Sequence, residues 1–323
     1  MSAESLPAGN RVSVVIPTYN FERYIAQTLA SVLCQTHRDF EVVVVDDGSR
    51  DGTCAAVSAI ASADPRVRLV TQANQGVCVA RNRGFAESTG DFLCFLDHDD
   101  VWAPWKLAEQ LAAFRREPRA GLVYTSFKEW FGRDGAFSDP ASELTPLEAT
   151  PLVDPAFSGW VYHQFLLDCW ALTSTAMIRR EALERCGGFD PTLPYSEDWD
   201  LWLRLSVEVP FVKLDAVSTL YRQHAQQGNR KLREVDYRTR LLEAAVARHG
   251  LSSRDGRALT ATEFARNLAR YHMQFGLHHL EHGRRAVALG AFGRAWRHHP
   301  ARLRYGALIA ATLLGWRPRP VAV

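Results

Sequence analysis

FEVVVVDDGS, residues 40–49, decides the fold. Four consecutive valines form a β-branched run with no polar alternation, the pattern of a strand buried on both faces in a parallel sheet. The run stops on two carboxylates and a Gly-Ser pair, which is turn chemistry at the strand's carboxyl end. Upstream, VSVVIPTYN (residues 12–20) reads as a second buried strand. Downstream, VRLV (67–70) is a third, and DFLCFLDHDD (91–100) is a fourth that runs into a cluster of acids. Apolar residues at helical spacing predict helices over 25–33, 51–61, 77–87 and 105–116, the last with Pro104 at its start. Strand–helix alternation with short connections implies an α/β fold built on a doubly wound, mainly parallel sheet flanked by helices. PTYN, DDGSRDGT and DHDD all follow the carboxyl end of their strand, the edge where open α/β sheets bind ligands. That convergence carries the functional reading.

Beyond AGLVYTSF (120–127) the regularity drops. Residues 132–160, with Gly132, Gly135 and four prolines, read as a mobile loop or lid. Structure returns with WALTSTAMIRREAL (170–183), a GGFDP turn, and SEDWDLWLRLSVEV (196–209), a helix opened by acids. FVKL (211–214) and VSTLYRQH (217–224) are expected to be a closing pair of strands. The division expected is a disordered N-terminus over 1–10, a catalytic domain over 11–228 and a helical, basic C-terminal region over 229–323. Within the domain, 11–125 is the nucleotide-binding half and 126–228 the acceptor-binding half. A chain of 323 residues accommodates one such domain with a helical C-terminal appendage.

Composition is ordinary for a globular protein, at 47% hydrophobic and 23% charged. The net charge of +2 hides an asymmetry: residues 251–323 hold twelve Arg, no Lys and three acids, or +9, so the rest of the chain is at −7. No nucleic-acid partner is expected. Six scattered cysteines without a Cys-x-x-Cys pair suggest reduced core residues of a cytoplasmic protein. The first ten residues carry no basic and apolar leader pattern, and no stretch reaches the ~18–20 apolar residues of a membrane span. YGALIAATLLGW (305–316), flanked by Arg302, Arg304, Arg317 and Arg319, has two readings. It is a peripheral contact with the anionic inner face of the cell membrane, or a helix packed on the catalytic domain or a second subunit. The sequence does not reveal the oligomeric state.

Asp97 and Asp99, separated by one residue at a strand end, can share Mg²⁺ or Mn²⁺ with a diphosphate; a solvated acidic turn is the plain alternative. Asp99 is the better direct ligand, and Asp97 divides between the metal and a ribose. Asp46 and Asp47 can accept hydrogen bonds from a base or ribose while also making the turn. Tyr19 can stack on the base, with Pro17 and Thr18 along the same wall. Asn74 and Gly76 open a helix and can present backbone N–H groups to a nucleotide. Arg81 reaches either a phosphate or Asp97. Glu197 and Asp198 satisfy the helix dipole, and one of them can also serve as a general base. Arg222 and His224 either neutralise a diphosphate or form a surface turn. Trp170 and Trp199, with Glu197, either face an acceptor or are core.

VSVVIPTYN, EVVVVDDGSRDGT, NQGVCVARNRGF, GDFLCFLDHDDVWAPWKLAEQ and GGFDPTLPYSEDWDLWLRL, in that order, resemble glycosyltransferase family 2, whose fold is GT-A. The resemblance runs from about Arg11 to His224 and leaves out the helical C-terminus. It implies an inverting, metal-dependent transferase that moves a sugar from a nucleotide-sugar donor, usually a UDP-sugar, to a hydroxyl of a glycan, lipid-linked or other cell-envelope acceptor. Pro17, Tyr19, Asp47, Asn74 and Arg81 fall where the family holds its nucleotide. Asp97 and Asp99 match its metal pair, Asp198 its catalytic base, and Arg222 and His224 a diphosphate contact. His98 departs from the usual small residue between the two acids. A sugar-nucleotide nucleotidyltransferase would carry a glycine-rich loop after the first strand, where PTYNFERYI has none. An inactive nucleotide-sugar-binding protein would not need Asp99 and Asp198 intact.

Overall fold

The computed structural model describes residues 9–132, 136–144, 146–228, 231–316 and 318. Most of the expected disordered N-terminus (residues 1–8), together with Gly135, Arg317 and Arg319, lies outside them. The chain forms two compact units, Met1–Val161 with Cys169–Ala225, and Tyr162–Asp168 with Gln226–Val323.

The first unit opens as β1 (Val12–Thr18), α1 (Glu22–Leu33), β2 (Phe40–Asp46), α2 (Thr53–Ala63), β3 (Val67–Thr71), α3 (Val77–Glu87) and β4 (Phe92–Phe95). Both β1 and β2 are buried along their whole length. β1 pairs in parallel with β2 and β4, and β2 in parallel with β3, as the valine run requires. α1 turns Ile25, Leu29 and Val32 into the core it shares with the sheet. α3 lies against the other face, where Gly84 permits close approach: a Cβ there would stand 2.2 Å from Val15 Cγ1.

There follow β5 (Val101–Trp102), α4 (Lys106–Arg116), β6 (Leu122–Phe131), α5 (Pro140–Glu143), α6 (Tyr162–Phe165), β7 (Ala176–Arg179), α7 (Arg180–Cys186), α8 (Glu197–Glu208) and β8 (Phe211–Gln223). The eight-stranded sheet runs β3-β2-β1-β4-β7-β6-β8-β5, with β7 antiparallel to both of its neighbours. FVKL and VSTLYRQH are one strand, β8, rather than a pair. Asp215 between them stays extended because its N–H donates to Leu152 C=O, while Asp154 N–H donates to Lys213 C=O. The described part of 132–160 is correspondingly an ordered strap. Asp139 caps α5 and Asp154 caps a 3₁₀ turn at Pro155–Phe157, each with a proline in the first turn. Lys128 Nζ pairs with Glu143 at 2.7 Å, and Trp130 Nε1 donates to Ser138 Oγ at 2.9 Å.

The second unit holds α6 and four further helices, α9 (Tyr237–His249), α10 (Ala261–Glu281), α11 (Arg285–His298) and α12 (Leu303–Leu313). Thr260 and Glu263 form a capping box at the start of α10. Gly276 lets α10 meet α11, since a Cβ would stand 2.6 Å from Phe292 Cε1. Leu280, Ala288 and Phe292 form the contact core, with Leu308 and Ile309 of α12 packed on it. Asn267 Nδ2 donates to the carbonyls of Leu166 and Leu167, which fixes α6 within this unit. Among the described residues no helix is long and apolar enough to cross a membrane. The six cysteines are free; Cys78 and Cys94 are buried, but Cys34 is exposed and not a core residue.

Candidate active site

Thr18 ends β1, Asp46 ends β2, and Asp97 lies two residues past β4, so three adjacent parallel strands deliver the polar clusters to one edge. Asp46 is buried and accepts from the N–H groups of Gly48 and Ser49 at 3.2 and 2.9 Å, a turn-making role. Asp47 gathers the loop ahead of α3. Its Oδ1 accepts from Gln72 Nε2 and Gln75 N–H, and its Oδ2 from Gly76 N–H, all within 2.9 Å. Gly76 sits at φ +93°, a left-handed conformation suited to glycine. Asn74 and Gly76 are exposed, as is Tyr19. Pro17 and Thr18 are buried in the adjoining wall. His98 Nδ1 donates to Pro17 C=O at 3.0 Å and its ring lies on Phe21 with centroids 3.7 Å apart.

Arg81 is the structural pivot. Its Nη2 donates to Asp97 Oδ1 at 2.7 Å and its Nη1 to Glu197 Oε1 at 2.8 Å. Burial works against the guanidinium charge, but the two carboxylates outweigh it and hold the pKa above its ordinary value. The ion pair with Asp97 is therefore present, and it extends to a residue 116 positions away. Asp99 Oδ2 accepts from His224 Nε2 at 2.8 Å. Burial pushes the Asp99 carboxyl up, yet the His224 bond and the adjacent His98 and His224 rings bring it below the usual range.

Asp100, buried behind them, accepts from Ser174 Oγ at 2.6 Å and Arg222 N–H at 3.2 Å. Burial first, then Asp99 and Asp97, hold its carboxyl well above the ordinary value. Three carboxylates in four residues thus keep a like-charge repulsion that Arg81 and His224 only partly offset. Hard oxygen donors under that repulsion fit a divalent cation such as Mg²⁺ or Mn²⁺, with Asp97 and Asp99 as the protein ligands.

Asp198 lies in the first turn of α8. The turn is aimed by Ser196, one of two non-glycine residues at positive φ among the described residues. Its Oδ1 accepts from Trp199 N–H at 2.7 Å and its Oδ2 from Thr173 Oγ1 at 3.4 Å. Burial, then the like charge of Glu197, raise its carboxyl to about 7, while Arg81 pulls the other way. A carboxyl held there can take a proton near neutral pH.

Two expectations need correction. Arg222 is 1% exposed: its Nε donates to Asp99 C=O, its Nη2 to Gln27 Oε1, and its guanidinium lies over Tyr24, Trp130 and Phe137. It braces the acidic edge from behind and presents no open diphosphate contact. Trp199 is 2% exposed and is core; Trp170, at 39%, is accessible beside Phe157. Sequence reasoning missed Ser174, which accepts from Asp97 N–H while donating to Asp100, and Thr173 beside Asp198. Their signal was the Thr-Ser-Thr run ahead of β7.

Residues 13–170 match the family described as Glycosyl transferase family 2. An uncharacterized glycosyltransferase of Nostoc sp. is 34% identical over 196 residues, 59% of this chain and 56% of that protein. The putative teichuronic acid biosynthesis glycosyltransferase TuaG of Bacillus subtilis is 38% identical over 117 residues, 36% of this chain and 46% of that protein. The chain thus spans about half the length of these curated relatives. Among solved structures, S. aureus TarS 1-349 in complex with UDP-GlcNAc aligns with a TM-score of 0.62 at 20% identity, covering 94% of this chain and 87% of that one. The mannosyltransferase PcManGT from Pyrobaculum calidifontis, in complex with GDP-Man and Mn²⁺, aligns at 0.56 and 23%, covering 94% and 79%. At these identities the likeness is one of fold.

Proposed function

We propose that this chain, which belongs to glycosyltransferase family 2, moves a sugar with inversion from a nucleotide-sugar, a UDP-sugar first, to a hydroxyl of a cell-envelope glycan or lipid-linked acceptor. The observation that carries this reading is Arg81, which joins Asp97 of the acidic edge to Glu197 beside Asp198. One guanidinium thereby ties the end that receives the diphosphate to the end that receives the acceptor proton. Likeness to a complex with UDP-GlcNAc supports the donor class, and similarity to TuaG supports an envelope acceptor.

Asp97 and Asp99 would hold a divalent cation, Mn²⁺ or Mg²⁺, which would offset charge on the leaving diphosphate. Tyr19, Asp47, Asn74 and Gly76 line the nucleotide wall, and His224 keeps Asp99 ionised. The acceptor oxygen bonds to the anomeric carbon on the face opposite the diphosphate. The carbon–oxygen bond to the phosphate breaks, its electron pair leaves with the nucleoside diphosphate, and the acceptor proton passes to the Asp198 carboxylate. A single base suffices for this displacement. Trp170 offers an accessible aromatic face for an acceptor ring.

The test is a panel of UDP-, GDP- and dTDP-sugars with Mn²⁺, read as nucleotide-dependent thermal stabilisation and as nucleoside diphosphate release, on the wild type and Asp198→Asn. Release falls ~10²–10⁴-fold in the variant while donor binding stays within a few-fold. Retained turnover would remove Asp198 as the base, and stabilisation by none of the donors would remove the donor assignment.

A further inference from the structure

The second unit carries a cluster that the transfer chemistry does not use. Glu243 on α9, His272 on α10 and His298, the last residue of α11, each offer one ligand atom, and these lie within 4.8 Å of one another. Three separate helices thus point a carboxylate and two imidazoles at one spot. His272 is held from behind by Asp236. His272 Nδ1 lies 2.9 Å from Asp236 Oδ2. An ionised carboxylate only accepts, so Nδ1 donates in this pair and Nε2 is the ring nitrogen that Asp236 does not engage. Asp236 is itself fixed as the N-cap of α9.

This carboxylate–imidazole arrangement is how proteins orient a histidine that ligates a metal. The His272 and His298 rings lie nearly parallel, 23° apart with centroids at 5.5 Å. The cluster opens onto a cleft of about 750 Å³ whose lining mixes Arg240, Arg294 and Arg297 with Glu234 and the two acids already named.

We propose that Glu243, His272 and His298 form a divalent transition-metal site, Zn²⁺ in the first place, oriented by Asp236. Two imidazoles and one carboxylate suit Zn²⁺ rather than Mg²⁺ or Ca²⁺, which take oxygen-rich shells. Three protein ligands leave a fourth position, which is filled from the cleft.

The experiment uses the full chain without a histidine tag, stripped with chelator and titrated with Co²⁺ as a spectroscopic stand-in and with Zn²⁺ against a competing dye. The wild type is expected to bind one equivalent and to show the intense visible bands of four-coordinate Co²⁺. Both persist in Asp99→Asn, which disables the sheet-edge cation site. Affinity drops at least 100-fold in His298→Gln and in His272→Gln, and about 10–100-fold in Asp236→Asn. His298 is only partly buried, so its variant keeps the test intact should His272→Gln fail to fold. Wild-type binding in His298→Gln, or binding that vanishes with Asp99→Asn, overturns the site.

Discussion

Glu197→Gln tests the electrostatics of the proposed base more sharply than deleting the base does. Asp198 is raised to about 7 by burial first and by the Glu197 charge second, with Arg81 opposing. The substitution keeps size and a hydrogen-bonding oxygen for Arg81 but removes the like charge. A neighbouring charge moves a carboxyl by about 1–3 units, and a shift of about one unit, ~1.4 kcal/mol, is the conservative expectation here because the backbone environment is unchanged. The acidic limb of kcat/KM should therefore move from near 7 down to about 6. At pH 6 roughly a tenth of the wild-type base is ionised and about half of the variant's. Relative to its own plateau, the variant then runs about fivefold faster at that pH. The assay is chromatographic quantification of released nucleoside diphosphate at saturating Mn²⁺ from about pH 5 to 9, which avoids pH-sensitive coupling enzymes. A limb that stays put or moves upward refutes the reasoning, because Glu197 would then not be what sets Asp198.

Asp99→Asn, or chelation of the wild type, should cut turnover by ~10²-fold or more, and added Mn²⁺ should restore the wild type but not the variant. Lys106 is buried against Trp102, donates to Gln110 Oε1 at 2.7 Å, and is lowered by burial to about 8. Below that pH the folded chain bears the full burial cost of the cation; between there and the ordinary 10.5, unfolding takes up a proton and stability rises with pH. Lys106→Met should accordingly be more stable by about 1–3 kcal/mol in chemical denaturation at pH 7, with the gap closing toward pH 10. Leu303, Leu313, Leu314 and Trp316 are exposed on and just beyond α12, near Arg302 and Arg304. If this rim meets an anionic membrane, Leu303→Glu with Leu314→Glu should lower pelleting with anionic vesicles several-fold, and equal pelleting removes the membrane contact.

The parallel half of the sheet was legible because its signals are local: valine runs need no partner to reveal burial on both faces, and the acids mark strand ends directly. The site's chemistry was legible only as far as such clusters reach. Asp97 and Asp99 stand out together, whereas the Arg81–Glu197 bond joins residues 116 apart and leaves no trace in either segment's pattern. Arg222 misled for the same reason. A terminal Arg-Gln-His looks like a surface turn, and only the aromatic walls supplied by Tyr24, Trp130 and Phe137 show that its charge is enclosed. β8 was split in two because the Asp-Ala step resembles a break, until residues 152–154 supply its hydrogen bonds. The cluster on α9, α10 and α11 was invisible, its ligands being scattered across some 55 positions of unremarkable helix.

Arg81 also bears on how this enzyme can change. Because one side chain grips both the proposed donor edge and the helix that carries the proposed base, a library varying the 72–99 segment and another varying 196–202 are not independent searches. Gains found in one should fail to add to gains found in the other, and a donor switch chosen for binding alone will carry an altered pH optimum with it. Variation at Trp170 and along the 146–160 strap touches neither end of that bridge, so under the proposed assignment acceptor preference can drift there without disturbing the chemistry.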